Sequence, residues 1–146
     1  MNLALNIIAI GIIATLAMTA FSYALSAITN SKFEEPQLIN ILFKRAGTFS
    51  FPLVREHILG WTIHFIIGIA FVVCYYVSLP MELFDTTVLD GAIFGFLAGL
   101  IGALFWGTTL KLHPNPPKIN KIGYLLQLIP AHIIFGITMV LIIQAI

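Results

Sequence analysis

The chain has 146 residues, of which 60% are hydrophobic and 9% charged, with a formal net charge of +1. An ordinary soluble domain is roughly 25% charged, and this scarcity of charge excludes a soluble fold of this size. Disorder, which needs low hydrophobicity, is excluded as well, and there is no bulk electrostatic case for nucleic acid.

A mean hydropathy of +1.03 fits a polytopic membrane protein. A bilayer core about 30 Å thick is crossed by about 20 apolar residues of helix, and four stretches are long enough. The first, about 3–28, carries no charge. It lacks the basic start of a signal peptide and is longer than the usual apolar region of about 7–15 residues, so it reads as a retained span. The second, about 57–79, holds only histidines as strongly ionisable groups. The third, about 88–110, has Asp90 at its rim. The fourth, about 123–145, contains His132. Lipid forces backbone polar groups to pair within each segment, so all four are expected to be helices. The expected architecture is one all-α transmembrane domain over residues 1–146, a four-helix bundle.

The bases give its orientation. Lys32, Lys44, Arg45 and Arg55 lie between spans one and two, and Lys111, Lys118 and Lys121 between spans three and four. The loop between spans two and three carries Glu82 and Asp85 and no base. The positive-inside rule places the basic loops, 29–56 and 111–122, in the cytoplasm, with both termini outside. The membrane expected is the bacterial inner, or cytoplasmic, membrane. Within the first loop, Gln37 to Ala46 mixes Leu38, Ile41, Leu42 and Phe43 with Lys44 and Arg45. It reads either as an interfacial helix or as a loop packed under the bundle. The second loop runs His113-Pro114-Asn115-Pro116-Pro117, where the prolines end the helix and stiffen the turn.

Spans two and four share His-x-x-x-Gly-Ile, at His64–Ile69 and His132–Ile137. Spans one and three echo each other from Gly11 to Leu16 and from Gly95 to Leu100. The bundle therefore reads as two pseudo-repeated parallel hairpins. Span three carries Gly91, Gly95, Gly99, Ala103 and Gly107 four apart. Such a face lets a neighbouring backbone approach closely: a helix of the same bundle, a second copy of the chain, or a ligand. Span one carries Thr15, Thr19, Ser22 and Ser26 at helical spacing. These hydroxyls bond back to their own helix or form a polar lining for the histidines.

His64 lies nine residues beyond Arg55, about 13 Å along a helix, and His132 lies nine beyond Gly123. An imidazole in hydrocarbon needs a partner. The partner is a hydroxyl such as that of Thr19, Ser22 or Tyr23, or a metal or haem ligated by both rings, or a transported proton or substrate. His57, seven residues before His64, sits on nearly the same face and reads as an interface residue beside Arg55 and Glu56. His113 reads as solvated. One cysteine, Cys74, makes no internal disulfide. No nucleophile–base pair, phosphate loop, Cys pair or zinc-protease motif occurs, so no catalytic residue is assigned.

The segments Ala14–Thr19, Gly60–Gly68, Gly91–Gly95 and Ala131–Gly136 resemble those of an uncharacterised family of small four-span bacterial integral membrane proteins, a domain of unknown function. The resemblance implies the four-helix architecture and no substrate or activity. Two functional expectations follow from the residues. One is a non-enzymatic binder of a small ligand, metal or haem in a cytoplasmic-half cavity lined by His64 and His132. The other is a small oligomeric transporter or channel subunit, or a structural accessory subunit of a membrane complex.

Overall fold

The computed structural model describes residues 2–49 and 53–146. The described chain is all-helical: α1 (Leu3–Thr29), α2 (Glu35–Ala46), α3 (Ile58–Ser78), α4 (Val88–Leu112) and α5 (Lys121–Ala145), with a short 3-10 turn over Leu79–Met81. Helices α1, α3, α4 and α5 are long and apolar enough to cross a membrane. At 27 residues, α1 is about 40 Å long.

Local chemistry sets the ends. Asn2 Oδ1 accepts from Ala4 N at the start of α1, and His57 Nδ1 accepts from Leu59 N at the start of α3. Thr87 and Asp90 form a reciprocal cap on α4: Thr87 Oγ1 accepts from Asp90 N and donates to Asp90 Oδ2. Asn120 Oδ1 accepts from Gly123 N to begin α5. Helices α1 and α2 stop at left-handed residues, Asn30 and Gly47.

The four long helices form an open chain in the order α3, α1, α5, α4, in which each packs against the next. The α1–α3 and α4–α5 pairs cross by the same device. A Cβ on Gly68 would lie 1.9 Å from Thr15 Oγ1 and 3.5 Å from the Gly11 carbonyl; one on Gly136 would lie 2.0 Å from the Gly91 carbonyl and 3.0 Å from Gly95 N. The two His-x-x-x-Gly segments thus occupy equivalent places in the two pairs, and backbone approaches backbone at each crossing. The small-residue face of α4 is used within the chain: Gly91, Gly95 and Gly99 lie against the α5 backbone, Gly107 faces Leu125, and Ala103 packs into the core. The neighbour that this face admits is therefore α5, which fills the place that a second copy would take.

The outward side of α4 is a continuous apolar surface. Ile93, Phe96, Leu97, Leu100, Ile101 and Leu104 are all exposed, as lipid contact requires. Cys74 is exposed within α3.

The two basic connections meet at one end. Arg45 Nη1 donates to Asn115 Oδ1 at 3.0 Å, and His113 Nε2 donates to the Leu42 carbonyl at 3.0 Å. His113 Nδ1 accepts from Asn115 N, which fixes its proton on Nε2. The expectation of a solvated His113 is corrected: the ring is half-buried and ties the proline turn to α2. The segment is a helix, as the first reading has it, and it turns Leu38, Ile39 and Leu42 inward to pack on the bundle, as the second has it.

Candidate functional site

The core has two apolar halves. One contains Ile10, Ala14, Met18, Val72, Phe135 and Met139; the other contains Phe33, Leu38, Leu42, Leu110, Tyr124 and Leu128. Between them lies a layer of buried polar groups, and beside that layer a cavity of about 290 Å³. His64, His132 and Glu35 line it; its remaining wall is mostly apolar, with Met18, Phe71, Phe105, Trp106 and Phe135.

The mouth follows from the helix order. Helices α3 and α4 do not pack extensively on each other. They meet through aromatic rings, where Phe94 sits edge-on to Phe71 and Tyr75, and Phe84 stacks on Tyr75. Toward the basic end a gap is left. Ile67 on one side and Ile101 and Phe105 on the other are exposed residues that also line the cavity. The opening is therefore lateral, onto the apolar surface rather than into water.

His64 is 6% exposed. Its Nε2 lies 2.9 Å from Thr19 Oγ1, and Thr19 donates its own proton to the Thr15 carbonyl at 2.7 Å. A hydroxyl has one proton, so the ring is the donor and its Nδ1 carries a lone pair. His132 is 8% exposed. Its Nδ1 lies 2.7 Å from the Leu128 carbonyl, which can only accept, so Nε2 carries the lone pair. The Cε1–Nε2 edge faces Gly102 of α4, whose Cβ, if present, would lie 3.3–3.5 Å from it. Both rings line the same cavity. Among the described residues no hydrogen bond reaches His64 Nδ1 or His132 Nε2. Each imidazole is thus anchored by one nitrogen and has a lone pair on the other.

Glu35 is the group that sequence reasoning missed. It is 2% exposed and begins α2 just before Pro36. Its Oε1 lies 3.0 Å from Ser22 Oγ and 2.9 Å from Gln127 Nε2, and Ser22 Oγ lies 3.0 Å from Gln127 Oε1. These three contacts need three protons. Ser22 supplies one and the Gln127 amide one, in either orientation of that amide. The third comes from Glu35, so the neutral carboxylic acid completes the ring, whereas the carboxylate leaves two oxygens facing each other. Burial raises the carboxyl to about 7, and the hydrogen bonds from Gln127 and Ser22 only partly oppose this. Oε2 has no hydrogen-bond partner.

The other expected residues are distributed as follows. Thr19 serves His64, as a lining hydroxyl would. Ser22 serves Glu35 and Gln127 instead. Tyr23 OH accepts from Gln37 Nε2 at 3.1 Å, and its ring lies 6.2 Å from that of Trp61, away from both histidines. His57 caps α3, and its carbonyl accepts from Asn40 Nδ2 at 2.6 Å; it does not line the cavity.

Among the described residues, no group of three His, Cys, Asp or Glu side chains is placed to hold a metal ion. The volume is at the lower end of the roughly 300–1,000 Å³ typical of small-molecule pockets, which is small for a tetrapyrrole. No family model, curated protein or solved structure matches the chain. What stands is an all-helical chain whose four long apolar helices fit a small membrane protein.

Proposed function

We propose that the protein binds a small, largely apolar organic molecule in the cavity between α3 and α4, without catalysing its conversion. The ligand enters sideways from the bilayer. One observation carries the reading: two buried imidazoles, from the two His-x-x-x-Gly segments, share an apolar cavity, and each has one nitrogen with no hydrogen bond from the described residues. Neither nitrogen is sealed off by the protein, so a ligand hydrogen atom can reach each lone pair and bond to it. Two imidazoles without a third protein ligand are a poor metal site, so an organic ligand is the better supported class. The basic loops, and with them α2, face the cytoplasm.

The test is lateral access. Purified protein in lipid nanodiscs is exposed to a small apolar aryl diazirine and irradiated. Labelling is expected at Phe71, and it should be lost in Gly102→Leu, whose side chain fills the space beside His132. Unchanged labelling of Phe71 in that variant would refute the cavity as the binding site. A Soret band or stoichiometric metal in the purified protein would replace the organic ligand with a cofactor.

A further inference from the structure

Three titratable side chains line one membrane-embedded cavity: His64 and His132, which present the acceptors Nδ1 and Nε2, and Glu35, whose Oε2 lies closed off behind the wall without a hydrogen-bond partner. No lysine or arginine lines it among the described residues. Its wall is rich in aromatic rings, including Phe71, Phe105 and Trp106. We propose that the ligand is a lipophilic primary or secondary ammonium ion, and that on binding it displaces the proton held by Glu35. This rests on the cavity reading above and assigns the ligand's chemical class.

The physical reason is charge. Bringing an ammonium into an apolar cavity with no counter-charge is costly. Exchanging it for a proton leaves the net charge of the site unchanged. The neutral Glu35 carboxylic acid and the free ammonium ion give a carboxylate–ammonium ion pair and one proton. Only the carboxyl O–H bond breaks; its electron pair stays on the carboxylate oxygen and the proton goes to water. An ammonium offers only donors, which complement a lining of acceptors, and aromatic faces attract cations. The apolar body of the ligand fills the remainder of the cavity and its lateral mouth.

The surroundings of Glu35 support a proton that leaves near neutrality. From α1 it faces Ser22; from α5 it faces Gln127, with Tyr124 nearby, whose OH is buried and without a partner. On its own helix start, Glu34 is held 3.3 Å from Arg55 by an ion pair, so Arg55 is already engaged. Across the cavity stand His64 and His132. Burial and the neighbouring Glu34 charge both oppose ionisation, and the carboxyl stands at about 7.

The experiment uses the full chain in nanodiscs and two probes of equal size, 4-phenylbutylamine and 4-phenylbutanol, each measured against empty nanodiscs. Calorimetric titration in two buffers of different ionisation heat counts the protons. For the amine, release should be close to one proton per ligand at pH 6 and should fall toward zero at pH 8.5. Its affinity should fall about tenfold per pH unit below 7. The alcohol should bind with no proton release. Glu35→Gln should weaken the amine at least tenfold and leave the alcohol within threefold. Amine binding without proton release, or equal amine binding to Glu35→Gln, overturns the exchange while the cavity reading survives. If neither probe binds the wild type, both readings fall. Should Glu35→Gln not fold, the proton count on the wild type decides alone.

Discussion

Replacing Glu35 by Gln should remove a specific pH dependence from stability. In the folded chain the carboxyl stands at about 7 against an ordinary 4.5. Between those values the folded state holds a proton that the unfolded state has lost. The contribution is therefore fully present below pH 4.5 and is lost as pH rises through 7. At about 1.36 kcal/mol for each pH unit between the two values, the loss from pH 5 to pH 8 integrates to about 2.5 kcal/mol. On the scale of domains of 150–250 residues, where 1 kcal/mol moves Tm by about 2–4 °C, that is about 5–10 °C. Gln is neutral at every pH. Its NH2 carries two protons and can donate to Ser22 and to the oxygen of a turned Gln127 amide at once, while Ser22 donates to the Met18 carbonyl, so the contacts persist at every pH. The assay is thermal melting of both proteins in one detergent from pH 5 to 8. The wild type should lose stability relative to Glu35→Gln as pH rises. Parallel curves, or a wild type that gains on the variant toward pH 8, would refute the neutral-acid ring.

Four further outcomes follow from the packing and the loops. Gly136→Ala places a Cβ 2.0 Å from the Gly91 carbonyl and should cost about 1–3 kcal/mol or more in detergent melting. Gly107→Ala, whose nearest neighbour would be a Leu125 methyl at 3.5 Å, should melt like the wild type. Thr19→Val leaves the His64 Nε2–H buried without an acceptor and should cost about 1–3 kcal/mol; nitrogen-15 NMR of His64 should show the protonated nitrogen move from Nε2 to a mixture. In a Cys74→Ala background, an impermeant thiol reagent applied to intact cells should label Glu82→Cys and not Thr48→Cys if the basic end lies inside; the reverse pattern would invert the orientation.

The apolar helices were legible because their signal is local: an uninterrupted apolar run as long as a bilayer is thick. The histidines stood out for a related reason, since any imidazole placed mid-span needs a partner. Glu35 did not, because its partners lie 13 and 92 residues away in sequence, and an acid beside Glu34 in a loop with four bases reads as solvated. One signal was available. Glu35 falls in register with Leu38, Ile39 and Leu42, at i, i+3, i+4 and i+7, so it belongs to the apolar face of α2. Likewise, spacing four apart announced that something would lie close against α4, but the identity of that neighbour, α5, depends on the three-dimensional order of the helices.

The separation of Glu35 from Gln127 also has a consequence for biogenesis. Chains emerge at about 5–20 residues per second, so α2 exists for about 5–20 s before its partner in α5 has been made. Throughout that interval α2 can already pack on α3, where Asn40 reaches the carbonyls of Arg55 and His57, but Glu35 has Ser22 without Gln127. Arrival of the last helix supplies Gln127, closes the ring and favours uptake of a proton by Glu35. Closure of the polar ring is thus a late event that depends on the last helix.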